Sequence, residues 1–342
     1  MPIQFPTSPS VNQEYTYEGK VWQWDGSAWV GVRQETGIQR SNIWSKQNLL
    51  IPKRGFGLNS GYSGVTDQRR TQAGTIPMLK HYMERNLVPT YDADAQAYFD
   101  RVEGPTGDNQ TLETSVKTAI NDFVVGCKAD GIWSAIKASC IMAGARTLAG
   151  AFQPLLGTAP TSFNFVSGDY DRKTGLLGDG SAKYLNTNRN NNADPQDNQH
   201  ISVWVSTAAT STASTYPIYI GAGALGVGVT HMGRLASNGL LYFRNRNNEY
   251  QELVPGSAVG LLGMSRSSSS SYVSRVAGVS ANQNATSQTP FNQSIIVFAA
   301  GPDPNRPSNG RLAFYSIGES LDLALLDTRV TALMTALDAA IA

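Results

Sequence analysis

The chain has 342 residues, enough for two or three domains and a substantial buried core. Only 15% of them are Asp, Glu, Lys or Arg, against about 25% in an average globular protein, and Gly, Ser, Thr and Asn fill the difference. A net charge of +1 supplies no broad field for nucleic acid or acidic lipid, and no apolar run reaches the ~18 residues of a bilayer span.

The opening MPIQFPTSPSVNQ has neither the basic start nor the apolar stretch of a signal peptide, so synthesis in a cytoplasm is expected. Cys127 and Cys140 lie in apolar, helix-like text and read as buried free thiols. Two cysteines alone do not complete a structural zinc site.

Residues 1–34 read as a three-stranded meander. Tyr15 and Tyr17 alternate, Glu18-Gly19-Lys20 turns the chain, Trp22 and Trp24 share a strand face, and Asp25-Gly26 is a hairpin signal before Trp29. So small a unit rests on its aromatics. They serve either as a miniature core alone or also as a seat against another protein, and Tyr15, Tyr17, Trp22, Trp24 and Trp29 are the candidate attachment residues. Together with Phe5-Pro6, Pro9, Gln13 and Gly19, the W-x-W-D-G-x-x-W run resembles a short module at the N-terminus of phage tail and fibre proteins, particularly those of cyanobacterial phages. Asn12 stands where that module usually has Gly, a mild departure because Asn tolerates left-handed geometry.

Residues 35–90 read as a Gly-rich arm, with a short helix expected over Thr75–Asn86 that carries a solvated His81. An arm of this length needs something to lie on, and a neighbouring subunit is the expected support.

Residues 91–144 read as a helical neck. Asp92 caps a first helix with Ala95, Phe99 and Val102 on one stripe. A second starts at Thr111-Leu-Glu-Thr and buries Val116, Ile120, Phe123, Val124 and Cys127 up to a C-terminal Gly131, and a third, shorter one is expected from Ile132-Trp133 to about Met142. DADAQAYFDRVEG followed by LETSVKTAINDFVVGCKADGIWSAIKA, with its Lys128–Ser134 core, resembles the helical lead-in of a family of phage proteins. In that family the lead-in precedes a concanavalin A-like, laminin G-like sandwich. Ser134 and Lys137 match S-x-x-K, but no partner motif follows and no catalytic role is assigned.

Over 145–318 the period changes to short alternating runs between turn pairs such as Asp179-Gly180, Asn238-Gly239 and Asn309-Gly310. The runs are HISVWVST, YPIYIGA, GLLYFRN, VGLLGMSR, SYVSRVAG, QSIIVFAAG and GRLAFYSIG. They predict a jelly-roll or concanavalin A-like β-sandwich. Gly178–Ser181 with Lys183–Leu185, the Ser265–Val279 hairpin and Arg311–Leu321 are similar to strands of laminin G-like modules, so the resemblance spans about two-thirds of the chain. Residues 319–342 read as an amphipathic helix with Leu323, Leu326, Val330, Leu333 and Leu337 on one side, either a lid on the sandwich or helices or a trimerisation helix. The fold class is therefore mainly β with helical segments.

Glycosidase chemistry needs a pair of carboxylates. The acids of the β region, Asp169, Asp171, Asp179, Asp194, Asp197, Glu249, Glu252 and Asp303, are scattered, and no nucleophile elbow, P-loop or dinucleotide fingerprint is present. No enzyme, cofactor or metal is assigned. Two features suit sugar hydroxyls: the loop NTNRNNNADPQDNQ at 186–199, with Asn188, Asn190 and Asn191 as donors and acceptors, and the segment Tyr242–Tyr250, with Arg244, Arg246 and Tyr250. Asp194 and Asp197 offer hard oxygen ligands of the kind calcium takes. The resemblance implies a virion protein, a tail fibre or adaptor subunit that anchors to tail or capsid proteins, forms a homotrimer, leaves its host by lysis and binds a host-surface glycan. A head decoration or baseplate subunit, and a host polysaccharide depolymerase, are the alternatives.

Overall fold

The structure, a computed structural model, describes residues 5–6, 8–11, 13–17, 20–24, 26–32 and 90–341, except 212–215, 224–225, 227, 237, 256–258 and 302–305. The expected arm, with its Thr75–Asn86 helix and His81, lies outside the described residues except for Thr90. The chain divides into two compact units, Met1–Thr90 and Tyr91–Ala342.

In the first unit β1 (Glu14–Tyr17), β2 (Lys20–Trp24) and β3 (Trp29–Val32) form the expected antiparallel meander. Register pairs Tyr15 with Trp22 and Trp24 with Trp29, so the aromatics share one face. Phe5 closes that face, stacked on Trp29 at 5.2 Å and edge-on to Trp22 at 5.4 Å.

The second unit opens with α1 (Ala93–Glu103), capped by Asp92, which accepts a bond from the Asp94 N–H at 3.0 Å. Helix α2 (Thr114–Ala129) starts three residues later than expected. The Glu113 side chain is held instead by Arg172, at 2.8 and 3.2 Å. The helix ends in a Schellman turn: Gly131, at φ +73°, donates to Lys128 O, and Ile132 donates to Cys127 O.

The expected third helix is not formed. One 3-10 turn at Trp133–Ala135 leads straight into strand β4 (Ile136–Ile141). Ala138, Cys140 and Met142 enter one apolar core and Ile136, Ile141 and Ala143 another. Lys137 and Ser139 alternate with these apolar residues, but Ser139 is buried too, so the strand is covered on both faces.

Helix α3 (Leu148–Ala151), β5 (Pro154–Leu156), β6 (Thr161–Phe163), β7 (Tyr170–Asp171) and β8 (Gly175–Leu177) follow. The long strands are β9 (Tyr184–Asn190), β10 (Gln199–Thr207), β11 (Ile218–Ala222), β12 (Thr230–Arg234), β13 (Leu240–Asn245), β14 (Gln251–Pro255), β15 (Gly260–Arg266), β16 (Ser271–Val276), β17 (Val279–Asn284), β18 (Ser294–Val297) and β19 (Arg311–Gly318). Each of the seven runs read from the sequence forms a strand.

Two antiparallel sheets result. Sheet one runs β17-β16-β15-β10-β19-β4-β5, with β7 and β8 at its margin, and sheet two runs β14-β13-β12-β11-β18-β9-β6. Their inner faces meet in a core that includes Val203, Tyr219, Phe243, Leu262, Val297 and Tyr315. The outer face of sheet one, through Leu261, Ala313 and Phe314, packs on α1, α2 and α4 (Leu323–Ala340). Leu323, Leu326, Val330, Leu333 and Leu337 are all buried, so α4 is a lid on both helices and sheet. Its apolar stripe is spent within the chain, not on a trimer seam. Both cysteines are buried and free, Cys127 on α2 and Cys140 on β4, and burial pushes the Cys127 thiol up to about 12. No helix among the described residues is long and apolar enough to cross a membrane.

Candidate functional site

Sheet two has no helical cover among the described residues. Along β13, Leu241 and Phe243 point into the core, so Tyr242 and Arg244 project from the opposite face. Register sets His231 opposite Arg244 and Gly233 opposite Tyr242. Two glycines keep this face flat: a Cβ at Gly221 would stand 2.9 Å from His231 Cδ2, and one at Gly233 would stand 3.1 Å from Tyr242 Cε1. Tyr250 lies edge-on to Tyr242 at 5.9 Å. From the far side, the Ile218 N–H donates to Arg306 O at 2.9 Å, which places Arg306 beside Tyr216.

The result is a pair of similar units. The Arg244 guanidinium lies 5.3 Å from the Tyr250 ring centre, and that of Arg306 lies 5.5 Å from the Tyr216 ring centre. The rings are 43% and 40% exposed, whereas Arg244 is only 8% exposed. Among the described residues neither arginine has a carboxylate partner, although Arg146, Arg172, Arg189, Arg275 and Arg329 all do. Arg244 Nε is buried without a hydrogen-bond partner. Burial lowers the pKa of Arg244, and the nearby charge of Arg306 lowers it further.

His231 completes the face. Its Nε2 bonds Gly223 O at 2.8 Å, and since a carbonyl only accepts, Nε2 carries the proton. Nδ1 is then an acceptor, and it is buried with no partner. Burial drives the His231 pKa down to about 4, opposed by the Gly223 bond and reinforced by the charges of Arg244 and Arg306. The ring is therefore neutral near pH 7. The face thus holds one desolvated cation, Arg244, a second, half-buried one, Arg306, one unsatisfied acceptor and two ring surfaces.

The Asn-rich segment is organised differently from its expected form. Residues 186–190 belong to β9, so only 191–198 form a loop. Asn191 is fully buried: its amide nitrogen donates to Gly228 O, and its oxygen accepts from Gln199 and Thr230. It is not available to a ligand. Asn188, at φ +57°, is tied to Ala159 O and Thr161, and Asn190 to Asn292. Arg246 is also not a surface group. It is fully buried and clamps the loop from beneath through the carbonyls of Asn191, Pro195 and Gln196.

The acids are likewise engaged. Asp194 pairs with Arg189 at 2.5 Å, Asp197 accepts from the Ser287 hydroxyl, Asp169 pairs with Lys183, and Asp171 and Asp179 each accept the N–H groups of a turn. No group of three or more metal-ligating side chains occurs among the described residues. In the first unit Tyr15, Trp22, Trp24 and Trp29 form one half-buried aromatic face, and the Trp22 indole N–H is buried without an acceptor. The backbone of Tyr17 belongs to β1.

Of this open face the sequence indicated Arg244 and Tyr250. It missed Tyr216, His231 and Arg306, which come from separate segments and meet the Tyr242–Tyr250 segment only through the sheet. The fold defines a helix-backed antiparallel β-sandwich whose second sheet has no helix over it among the described residues. No protein-family model matches the sequence, and no curated protein matches it. Among solved structures, the binding domain of botulinum neurotoxin serotype D is similar at TM-score 0.38 and 13% identity, over 58% of this chain and 51% of that one. Domain 4 of AbnA, an extracellular arabinanase of Geobacillus stearothermophilus solved with arabinotriose, is similar at TM-score 0.33 and 15% identity, over 50% and 82%. The NanB sialidase of Streptococcus pneumoniae is similar at TM-score 0.33 and 11% identity, over 44% of this chain and 27% of that one.

Proposed function

We propose that this chain is a bacteriophage virion protein, a tail fibre or adaptor subunit, whose sandwich binds a glycan on the host surface. The observation that carries the binding role is the outer face of sheet two, where Tyr250 and Tyr216 each expose a ring backed by an arginine. Flat rings beside fixed donors suit a sugar, which has an apolar face and a rim of hydroxyls. Binding rather than hydrolysis fits Asp169, Asp171, Asp179 and Asp194, which are committed to turns and ion pairs.

The virion assignment rests on the N-terminal W-x-W-D-G run and the K-A-D-G-I-W-S lead-in. In this reading Trp22, Trp24, Trp29 and Tyr15 seat the first unit on a tail or capsid protein, for which the orphaned Trp22 N–H is a ready donor. Assembly as a homotrimer multiplies weak sugar contacts into avidity. Immunogold electron microscopy of intact particles, with antibody raised against residues 145–318, tests the assignment. Label is expected at the tail tip or on fibres. Label spread evenly over the head would overturn it and leave a decoration protein.

A further inference from the structure

We infer that the face formed by Arg244, Arg306, His231, Tyr216 and Tyr250 selects an acidic saccharide, one bearing a ring carboxylate. The inference rests on the glycan-binding reading and names the ligand class of the same face.

The argument starts from what is missing. A guanidinium removed from water is normally matched by a carboxylate or by several carbonyls. Elsewhere in this chain the rule holds: Arg172 grips Glu113, Arg329 grips Asp130, and buried Arg266 has carbonyls of Asn245, Ser268, Ser271 and Ala285. Among the described residues Arg244 has no such partner, and it is more than nine-tenths buried with Nε unpaired. Arg306 is near enough for its charge to act on Arg244, and both act on His231 and Tyr242. Two cations held together without a counter-ion among the described residues repel one another, and a carboxylate placed between them removes both the repulsion and the unmade bonds.

The neighbours make that anion a sugar. Tyr250 and Tyr216 have one ring face on a guanidinium and remain 43% and 40% exposed, a stacking surface on either side of the charge. His231 Nδ1 lacks a donor, which a sugar hydroxyl provides and a bare inorganic anion does not.

The test is calorimetric titration of the full chain with trigalacturonate, a glucuronate disaccharide and an N-acetylneuraminate-terminated trisaccharide, each beside its carboxyl methyl ester, with inorganic phosphate as a separate arm. At least one acid should bind tenfold or more tighter than its ester, with affinity falling as salt rises. Arg244→Met and Arg306→Met should each weaken that acid at least tenfold while the thermal unfolding midpoint stays in place. Equal binding of acid and ester would overturn the charge assignment and leave the glycan reading intact. Phosphate binding as tight as the acids would overturn the sugar carboxylate as ligand. Binding by no member of the panel would overturn this inference, whereas the virion assignment stands or falls by the microscopy.

Discussion

The two sheets of the sandwich are similar in size but differ in what their outer faces do. Sheet one gives its outer face to the chain itself: Phe314 meets Phe123 edge-on at 5.7 Å, and α4 spends its whole apolar stripe there. Its cations are paired as well, Arg275 with Asp327 at 2.7 Å and Arg329 with Asp130 at 2.6 Å. Sheet two has the reverse arrangement, with two arginines that lack a carboxylate partner among the described residues, one histidine nitrogen unsatisfied and two tyrosine rings exposed. One face is built for stability, and the other retains polar groups that cost stability unless something external satisfies them.

The largest break in this contrast comes from the covered face. Phe314→Ala removes a fully buried ring between sheet one and α2 and should cost about 3–5 kcal/mol, read as a lowered urea midpoint. An equal-sized truncation on the open face, Tyr250→Ala, should cost well under about 1 kcal/mol because that ring is largely solvated. Comparable losses at both positions would refute the division of labour.

Acid sharpens the contrast next. His200 and His231 are both buried, and burial takes each pKa down from 6.5 to about 4. The unfolded chain therefore binds protons that the folded chain refuses, so their stabilisation is full above pH 6.5 and is lost as pH falls toward 4. Two or more pK units correspond to on the order of 3 kcal/mol for each ring. They differ in their partners: His200 has both nitrogens bonded, to Glu319 O and the Ser316 hydroxyl, whereas His231 has one. His200→Asn should lower stability at pH 7 and flatten the fall between pH 7 and 4.5 in urea titrations. His231→Asn should flatten that fall to a similar degree with a smaller loss at pH 7.

The sequence was most legible where a cap, a helical stripe or a β-rich run between turn pairs marks the element. Asp92, Gly131, the α2 and α4 stripes and the seven alternating runs all carry a local period or cap, and each formed as read. It failed at β4, whose Ile136-to-Ile141 text follows helical text and a single 3-10 turn with no turn pair to mark the change of period. It failed also where polarity is structural: Asn191 and Arg246 look like surface groups, yet they bond across 37 and 55 residues to hold the 191–196 loop. The open face was half legible for the same reason. Arg244 and Tyr250 sit in one segment, but Arg306, His231 and Tyr216 reach it only through the sheet, and pairing register between distant strands has no local signature.

The smallest expected effect on stability carries the most functional weight. Arg244→Met keeps the length and most of the apolar stem against Tyr250 and Tyr242 and removes a desolvated charge with no carboxylate partner. Replacing an uncompensated buried ion by an apolar side chain of similar volume is neutral or stabilising, so the urea midpoint should hold or rise by up to about 1 kcal/mol. Arg275→Met, the matching change on the covered face, leaves Asp327 buried without its partner and should destabilise. Opposite signs for one substitution on two faces would show that the pairing of each arginine, not its burial, separates the faces. A loss at both positions would mean that Arg244 already has all the partners it needs, and sheet two would then be a second covered face.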